Sequence, residues 1–407
     1  MTGLILSICM IVRDEEDYLP DCLDSIAELA DELIVVDTGS TDQTLNIAES
    51  YGARIFQIDW EHNFAVARNY SLDRASGDWI FVLDADERLP LKFHSRIRGL
   101  LKKGLENNIA GWLVQIKNYY GSVKSGDYVL DSACRIFRNQ IEYRYSSPLH
   151  EEMSQVIQEN DPEAVILKTD IYLEHLGYLD QLVSGKRKSR RNTLILEKAL
   201  KKAPCDPFFI YAYGTELFQQ NNYQGALQYY KKITANLAEL SFGADLLYKT
   251  VTALLQQEEY AKGMNLLKKG LKLFPDFQAL WFVKGEYHLR CNEFKKAIAA
   301  YHSCLQLNNN NKFLEINGLS SFRTYHALAR VYEMMGEDSK AIDYYLQALR
   351  ENPGYQAVLN GLKGVLIKIK KRAIDYLDLS KVAEKYDPIY DLYREWLMDG
   401  ELSEKIK

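Results

Sequence analysis

The chain has 407 residues, of which 47% are hydrophobic and 12% aromatic, enough for packed cores in two or three domains. Its 50 lysines and arginines stand against 56 aspartates and glutamates, and the net charge of -6 gives no general attraction to nucleic acid or anionic lipid. The six cysteines form no CxxC pair and no apolar run approaches the roughly 18 residues of a membrane span, so we expect a cytoplasmic protein with reduced thiols.

Strands and helices are predicted to alternate over the first 180 residues. The β-rich runs are LILSICMIV (4–12), ELIVVD (32–37), ARIFQI (53–58) and DWIFVLD (78–84), and the amphipathic segments between them are LPDCLDSIAELA (19–30), TDQTLNIAESYG (41–52) and FAVARNYSLDRA (64–75). Near-continuous apolar strands separated by helices of this length are typical of a parallel sheet covered on both faces. The pattern predicts a doubly wound α/β domain, in which ligands bind at the carboxyl ends of the strands.

Polar residues follow three of the predicted strands: RDEE after the first, DTGSTD after the second and DADE within FVLDADER at the fourth. These segments are expected to meet in one crevice. In DTGSTD, Gly39 is predicted to permit a tight turn, and Ser40 or Thr41 to cap the next helix and leave backbone N–H groups aimed at the crevice. The acidic strand end needs solvent or a cation, because an isolated ionised carboxylate is costly to bury.

From about Lys186 the sequence is predicted to be all helix and to contain internal repeats. A small residue followed four positions later by a bulky one recurs at Ala226/Tyr230, Gly263/Leu267, Ala297/Tyr301 and Ala341/Tyr345. Successive small residues are 37, 34 and 44 positions apart, and Gly214 and Gly285 each precede one of them by twelve. A period near 34 with small residues at helix contacts is the tetratricopeptide signature, which indicates a concave surface for docking or dimerisation.

Eight segments of the chain, taken in order, resemble the motifs of a known protein family. The segments ICMIVRDEEDYLPDCLDSI, ELIVVDTGSTDQT, NFAVARN, ASGDWIFVLDADE, RIFRN, PLHEE, YLEHLGY and KSRRN resemble, in this order, the nucleotide-sugar domain of family 2 glycosyltransferases, which have the GT-A fold. The full order is similar to a bacterial branch in which this domain precedes tetratricopeptide repeats, including enzymes that glycosylate bacteriocin peptides. The implied domains are a GT-A domain (1–180), a helical linker (181–205) and a repeat domain (206–407).

The resemblance implies a role for the acidic strand end. Asp86 would bind a divalent cation directly, and Asp84, separated from it by Ala85, would contact the ribose or reach the metal through water. The ligand preference of hard cations supports this role, because Mn²⁺ and Mg²⁺ bind carboxylate oxygens and can neutralise the charge of a nucleoside diphosphate. A solvated acidic turn is the structural alternative.

Further donor contacts follow from the resemblance. Asp37 would accept the hydrogen bond of the uracil N3–H, unless it is only an N-capping aspartate for the helix that follows. Val12, through its backbone, with Arg13 and Glu15 would form the other wall of the base pocket. Arg68 would reach the base or the diphosphate as a charge-assisted donor, unless it forms a surface ion pair.

The acceptor must lose a proton as the sugar is transferred, which requires a base. The resemblance places Glu151 in this role, with Glu152 as the second candidate, although His150-Glu151-Glu152 departs from the usual Glu-Asp. His175 would be a further metal or diphosphate ligand, unless it is only packed on its strand. The basic run Lys186, Arg187, Lys188, Arg190 and Arg191 is expected either to close over the diphosphate or to begin a solvated helix.

The sequence thus predicts a metal-dependent inverting glycosyltransferase that uses a UDP-sugar, with glucose or N-acetylglucosamine as the sugar and a peptide or protein acceptor docked by the repeats. The alternatives are an enzyme that builds a cell-surface or spore-coat glycan and homodimerises through its repeats, and a non-catalytic adaptor. A nucleotidyltransferase is disfavoured because MIVRDEED lacks a glycine-rich, basic loop for a triphosphate.

Overall fold

The structure is a computed structural model that describes residues 4–121, 128–149, 152–179, 182–307 and 315–372. Within these ranges no helix combines the length and the apolar character that crossing a membrane requires.

The N-terminal domain is a layered α/β structure. Its elements in chain order are β1 (Leu6–Val12), α1 (Leu19–Asp24), β2 (Glu32–Asp37), α2 (Thr44–Ser50), β3 (Arg54–Gln57), α3 (Phe64–Leu72), β4 (Trp79–Val82), β5 (Glu87–Arg88), a 3-10 turn (Leu91–Phe93), α4 (His94–Glu106), β6 (Ile109–Gly121), β7 (Tyr128–Arg138), α5 (Met153–Asn160) and β8 (Val165–Leu179). The predicted strands and helices of the first 80 residues are all present, with several ends shorter than predicted.

The sheet has a parallel half and a mixed half. Strands β3, β2, β1 and β4 lie side by side and are parallel, as predicted. Beyond β4 the order continues β7, β6, β8 and β5, where β7 is antiparallel to β4 and to β6, and β8 is parallel to β6. The predicted parallel arrangement is therefore present for the four strands on which it was based, and the later strands, for which no direction was predicted, make the second half of the sheet mixed.

Two apolar clusters cover the two faces of the sheet. On one face, alternate residues of β1 such as Leu6, Ile8 and Met10 pack with α1 and α4. On the other face, Cys9 of β1 packs with residues of α3 and α5. The side chains of β1 and β4 are almost all buried, which fits central strands covered on both faces.

The C-terminal part is an array of antiparallel helices. The elements are α6 (Leu182–Lys202), α7 (Pro207–Gln219), α8 (Tyr223–Tyr230), a 3-10 turn (Leu237–Glu239), α9 (Gly243–Gln256), α10 (Tyr260–Leu273), α11 (Gln278–Arg290), α12 (Phe294–Gln306), the short strand β9 (Glu315–Ile316), α13 (Phe322–Met334), α14 (Asp338–Glu351) and α15 (Gln356–Arg372). The predicted small positions are buried contacts between helices. A Cβ atom on Gly285 would lie 2.3 Å from the Tyr301 ring, and one on Gly214 would lie 2.4 Å from the Tyr230 ring.

Among the described residues, an apolar cluster and a pair of strands join the array to the sheet domain. Trp60, Phe64 and Leu149 form an apolar cluster with residues of α6 and α7. In addition, β9 lies in the loop between α12 and α13 and pairs antiparallel with the beginning of β7, with Val129 opposite Ile316. The segment between α12 and α13 therefore adds a strand to the sheet of the N-terminal domain, which the helical period of the repeats gave no reason to expect.

Candidate active site

Asp84, just beyond the end of β4, is held by two arginines. The Nη2 atom of Arg68 lies 2.8 Å from Asp84 Oδ1, and the Nη2 atom of Arg135 lies 3.1 Å from Asp84 Oδ2. Arg135 Nη2 also lies 2.8 Å from Glu87 Oε1, and Glu87 accepts the backbone N–H of Asp84 at 2.9 Å. The two carboxylates and two guanidinium groups form one charge-balanced cluster, so arginines neutralise much of the acidic strand end.

The cluster fixes the charge of Asp84. Burial opposes ionisation of Asp84, but Arg68 and Arg135 outweigh it and hold the pKa of this carboxyl well below its usual range. Glu87 is 1% exposed, and its burial raises the pKa of its carboxyl in spite of Arg135. Asp84 is therefore a permanent anion, partly exposed, whose oxygens can accept hydrogen bonds from a ligand.

Arg135 owes its position to a β-bulge. Trp112 and Leu113 are adjacent in β6, whereas their partners in β7, Ile136 and Cys134, are two residues apart. Arg135 is the extra residue between them, and bulges of this kind redirect a side chain, often beside an active site. RIFRN supported the resemblance, but no role was predicted for Arg135; a charged residue between buried Cys134 and Ile136 was the available signal.

Asp86 and His175 are brought together by the pairing of β5 with β8. Glu87 lies opposite His175 in this pair, and the Leu176 N–H donates to the carbonyl of Asp86 at 3.0 Å. His175 Nε2 lies 3.3 Å from Asp86 Oδ2, and its Nδ1 lies 2.6 Å from the Oδ1 atom of Asn118. Burial alone would lower the pKa of His175, but its hydrogen bond to Asp86 raises it.

This pair fits part of a divalent metal site. One carboxylate oxygen and one imidazole nitrogen are suitable ligands for Mn²⁺ or Mg²⁺, and their proximity allows both to bind one ion. The side-chain amide of Asn118 orients the ring, as partners of metal-binding histidines commonly do. Among the described residues no group of three or more His, Cys, Asp and Glu side chains is arranged to hold a metal, so such an ion needs further ligands from substrate or water.

Asp37 is buried and closes its own turn. Its carboxylate accepts the N–H of Gly39 at 3.1 Å and the N–H of Ser40 at 3.1 Å. Gly39 has a φ of +105°, so the predicted tight turn is present. The capping prediction was wrong: α2 begins only at Thr44, and Thr41 instead donates its N–H to Asp14 Oδ1 at 2.8 Å. The amides of Gly39 and Ser40 are thus bonded to Asp37 within their own turn. The bonds of Thr41 and Ser40 with Asp14 tie the loops after β1 and β2 together.

The predicted base-pocket wall lies beside this turn. The carbonyl of Val12 accepts the Thr38 N–H at 3.0 Å, Arg13 is exposed, and the Glu15 N–H donates to Thr44 Oγ1 at 2.8 Å. Ala85 is buried between Asp84 and Asp86.

Arg191, in the basic run, adds a cation to this region. Its guanidinium carbon lies 4.8 Å from the centre of the Phe64 ring. Burial lowers the pKa of Arg191, while the carboxylates of Glu15 and Asp86 act in the opposite direction. No carboxylate lies within 4.0 Å of its guanidinium in the part of the chain that the structure describes.

Of the two candidate bases, the structure describes Glu152 but not Glu151. Glu151 and His150 lie outside the described residues, as do the side chains of Lys186, Arg187 and Lys188. Glu152 is the N-cap of α5, and its Oε1 atom accepts the Ser154 N–H at 3.0 Å. One oxygen of Glu152 is thus already used to stabilise a helix end.

Sequence comparison identifies the class of each domain. Residues 7–163 match the model of the family described as Glycosyl transferase family 2, and residues 248–311 and 322–355 match models of the tetratricopeptide repeat. The chain therefore carries a family 2 glycosyltransferase domain of the GT-A fold followed by tetratricopeptide repeats, which confirms the predicted family and fold class.

Particular relatives share this organisation in part. The chain is 33% identical over 231 residues to a TPR repeat-containing protein of Synechococcus elongatus, covering 56% of each chain. It is 28% identical over 258 residues to the SPbeta prophage-derived glycosyltransferase SunS of Bacillus subtilis, covering 62% of this chain and 59% of SunS. A third relative, the lipopolysaccharide core biosynthesis glycosyltransferase LpsC of Rhizobium meliloti, is 31% identical over 156 residues, 36% of this chain and 56% of LpsC. The chain thus matches little more than half the length of these curated relatives.

Among solved structures, S. aureus TarS aligns with a TM-score of 0.35 and 17% identity, covering 60% of this chain and 52% of TarS. Glucosyl-3-phosphoglycerate synthase from Mycobacterium tuberculosis aligns with a TM-score of 0.33 and 21% identity, covering 42% of this chain and 72% of that enzyme.

Proposed function

We propose that the chain is a metal-dependent inverting glycosyltransferase that moves glucose or N-acetylglucosamine from a UDP-sugar to a peptide or protein acceptor held by its repeats. The observation that carries the proposal is the convergence of Asp84, Asp86, Arg68, Arg135 and His175 at the carboxyl end of β4. This is where ligands bind in sheets of this kind. The family of the domain and the relative SunS support glycosyl transfer.

Asp86 and His175 would hold a divalent ion, Mn²⁺ or Mg²⁺. The ion would supply positive charge that neutralises the diphosphate and stabilises it as a leaving group. The donor set supports this, because a carboxylate and an imidazole lie 3.3 Å apart and both are largely buried.

The other residues have distinct roles in the proposal. Asp84, kept ionised by two arginines, accepts hydrogen bonds from the ribose hydroxyls. Arg191, whose guanidinium lies against the Phe64 ring, donates to the diphosphate. Asp37 accepts the uracil N3–H in place of one of its present donors, the Ser40 hydroxyl or the Gln57 side-chain amide, because those donors and the Gly39 and Ser40 amides already occupy its carboxylate. Glu151 removes the proton of the acceptor, because Glu152 is engaged as a helix cap.

Calorimetric titration of UDP tests the nucleotide site. We expect binding that strengthens when Mn²⁺ is added, and loss of that metal effect in Asp86→Asn. Asp170→Asn is the matched control, because it removes an exposed carboxylate of the same sheet that pairs with Arg96. Equal, negligible binding of UDP with and without Mn²⁺ would refute the proposal.

A glycan acceptor is the second candidate, and the similarity to LpsC favours it. In that case the repeats would serve homodimerisation. Transfer of radiolabelled sugar to peptides but not to lipid-linked glycans would support the peptide acceptor, and the reverse result would support the glycan. A chain that releases no UDP from any UDP-sugar, while it still binds a protein partner, would be the adaptor.

A further inference from the structure

Glu216 of α7 is a buried carboxylate in the repeat array. It is 4% exposed, and among residues 190–307 and 315–368, whose side chains the structure describes, no other aspartate or glutamate is buried. A buried carboxylate is costly unless polar groups or cations compensate it. The repeat pattern explains Gly214, two positions earlier, which packs against the Tyr230 ring, but it does not explain a carboxylate at this place.

Asn192 of α6 connects this carboxylate to the basic run. The side-chain Nδ2 atom of Asn192 lies 2.9 Å from Glu216 Oε1. An ionised carboxylate only accepts hydrogen bonds, so Asn192 presents its NH₂ group to Glu216 and its carbonyl oxygen to the opposite side. Glu216 thus determines the orientation of the Asn192 amide.

The carbonyl oxygen of this amide faces Arg191. Both Nε and Nη2 of Arg191 lie 3.4 Å from Asn192 Oδ1. Each contact is long for a hydrogen bond, but the two donors belong to one edge of the guanidinium group, and a reversed amide would place donors against donors. Glu216, Asn192 and Arg191 therefore form a chain of contacts, which we call the relay.

The relay ends beside the helix that carries Arg68. The guanidinium carbon of Arg191 lies 4.8 Å from the centre of the Phe64 ring, and Phe64 is the first residue of α3. Arg68, four residues later on α3, donates to Asp84 at 2.8 Å. Residues four apart lie on one face of a helix, with their Cβ atoms about 5–6 Å apart. A carboxylate of the repeat array is thereby connected to the charge cluster of the proposed donor site.

The charges of the region support this connection. Burial lowers the pKa of Arg191, and the carboxylates of Glu15, Asp86 and Glu216 act in the opposite direction. Glu216 therefore contributes in two ways, since its hydrogen bond orients the Asn192 amide and its charge favours the cationic form of Arg191.

From these contacts we propose that Glu216 and Asn192 are positioning residues that orient Arg191 toward the diphosphate of the donor. The proposal rests on the diphosphate contact of Arg191 in the proposed function and adds the side chains that direct it. The helix pair α6 and α7 then completes the donor site, in addition to any part it has in holding the acceptor. Loss of the relay returns rotamer freedom to a long side chain, which should weaken donor binding several-fold without abolishing it.

Calorimetric titration of the full chain with UDP in the presence of Mn²⁺ tests the proposal. Glu216→Leu keeps a side chain of similar volume and removes the acceptor of Asn192, so we expect UDP binding to weaken about fivefold. Glu216→Gln keeps a carbonyl oxygen that can accept the same hydrogen bond, and it should bind UDP within about twofold of the wild type. Asn192→Leu interrupts the relay at a half-buried position, and it tests the same contacts if Glu216→Leu does not fold.

Glu197→Leu is the matched control. Tyr213 Oη donates to Glu197 Oε1 at 3.2 Å, so this change also removes a hydrogen bond between α6 and α7. Glu197 is exposed and lies six positions along α6 from Arg191. Because it is not part of the relay, its replacement should change the affinity for UDP by less than about twofold.

A double variant distinguishes positioning from a general effect on folding. Once Arg191→Ala has removed the guanidinium, Glu216→Leu has nothing left to orient, so it should weaken UDP binding further by less than about twofold. A purely structural role of Glu216 would give the same loss with and without Arg191, and that result would overturn the proposal.

The remaining outcomes separate this proposal from the proposed function. If the wild type binds UDP and Arg191→Ala binds it more weakly, but folded Glu216→Leu and Asn192→Leu bind as the wild type does, only the positioning role is refuted. If the wild type binds no UDP, or Arg191→Ala binds it as tightly as the wild type does, the diphosphate contact itself is refuted and the positioning role with it.

Discussion

Replacing Arg135 by methionine tests the charge cluster beneath the proposed nucleotide site. The substitution keeps much of the apolar stem and removes the guanidinium that lies 2.8 Å from Glu87 and 3.1 Å from Asp84. Removing one partner of a buried ion pair costs about 3–5 kcal/mol. Arg68 stays beside Asp84, so only Glu87 loses its partner, and we expect the lower end, about 3 kcal/mol.

Urea unfolding monitored by tryptophan fluorescence measures this loss, because Trp79 and Trp112 are buried in the sheet domain. Arg96→Met is the control: it removes an exposed pair with Asp170 and should cost less than about 1 kcal/mol. If Arg135→Met unfolds at the same urea concentration as the wild type, the cluster does not contribute to stability as argued.

Three other outcomes can be checked. Arg191→Ala should weaken UDP binding about tenfold, measured by calorimetry, because it removes one charge-assisted hydrogen bond. Its melting temperature should be unchanged. If the affinity for UDP is also unchanged, Arg191 is not part of the site. Gly285→Ala should destabilise the repeats by about 1–3 kcal/mol because its methyl group overlaps the Tyr301 ring, and Tyr301→Leu should relieve the overlap in the double variant. Folding lowers the pKa of His326 from 6.5 to about 4, so between these pH values the unfolded chain binds a proton at this imidazole and the folded chain does not. The melting temperature should therefore decline as the pH drops from 6.5 to about 4. If the melting temperature of His326→Gln depends on pH as strongly as that of the wild type, this reasoning is contradicted.

The sequence was most informative where one physical pattern dominated. The apolar runs of β1 and β2 could only be central strands, and β2 has the predicted ends, 32 and 37. The pairing of Gly285 with Tyr301 follows from repeat spacing, since a large ring in one helix needs a small residue in its neighbour. The acidic strand end was predicted from the cost of burying charge, and the structure surrounds Asp84 with cations.

Other features depend on contacts between distant segments, and a local pattern cannot show them. The bulge at Arg135 is defined by its register against β6. Strand β9 has only two residues and forms because the repeats place it beside β7. The capping prediction for Ser40 and Thr41 failed because Asp37 and Asp14, from two different loops, compete successfully for the same groups.

Release of UDP from UDP-glucose and UDP-N-acetylglucosamine tests the central claim most directly. The wild type with Mn²⁺ should release UDP from at least one of them. Asp86→Asn should release it at least about 100-fold more slowly, while Asp170→Asn should match the wild type. A wild-type rate in Asp86→Asn would contradict the assignment of this strand end as the donor site.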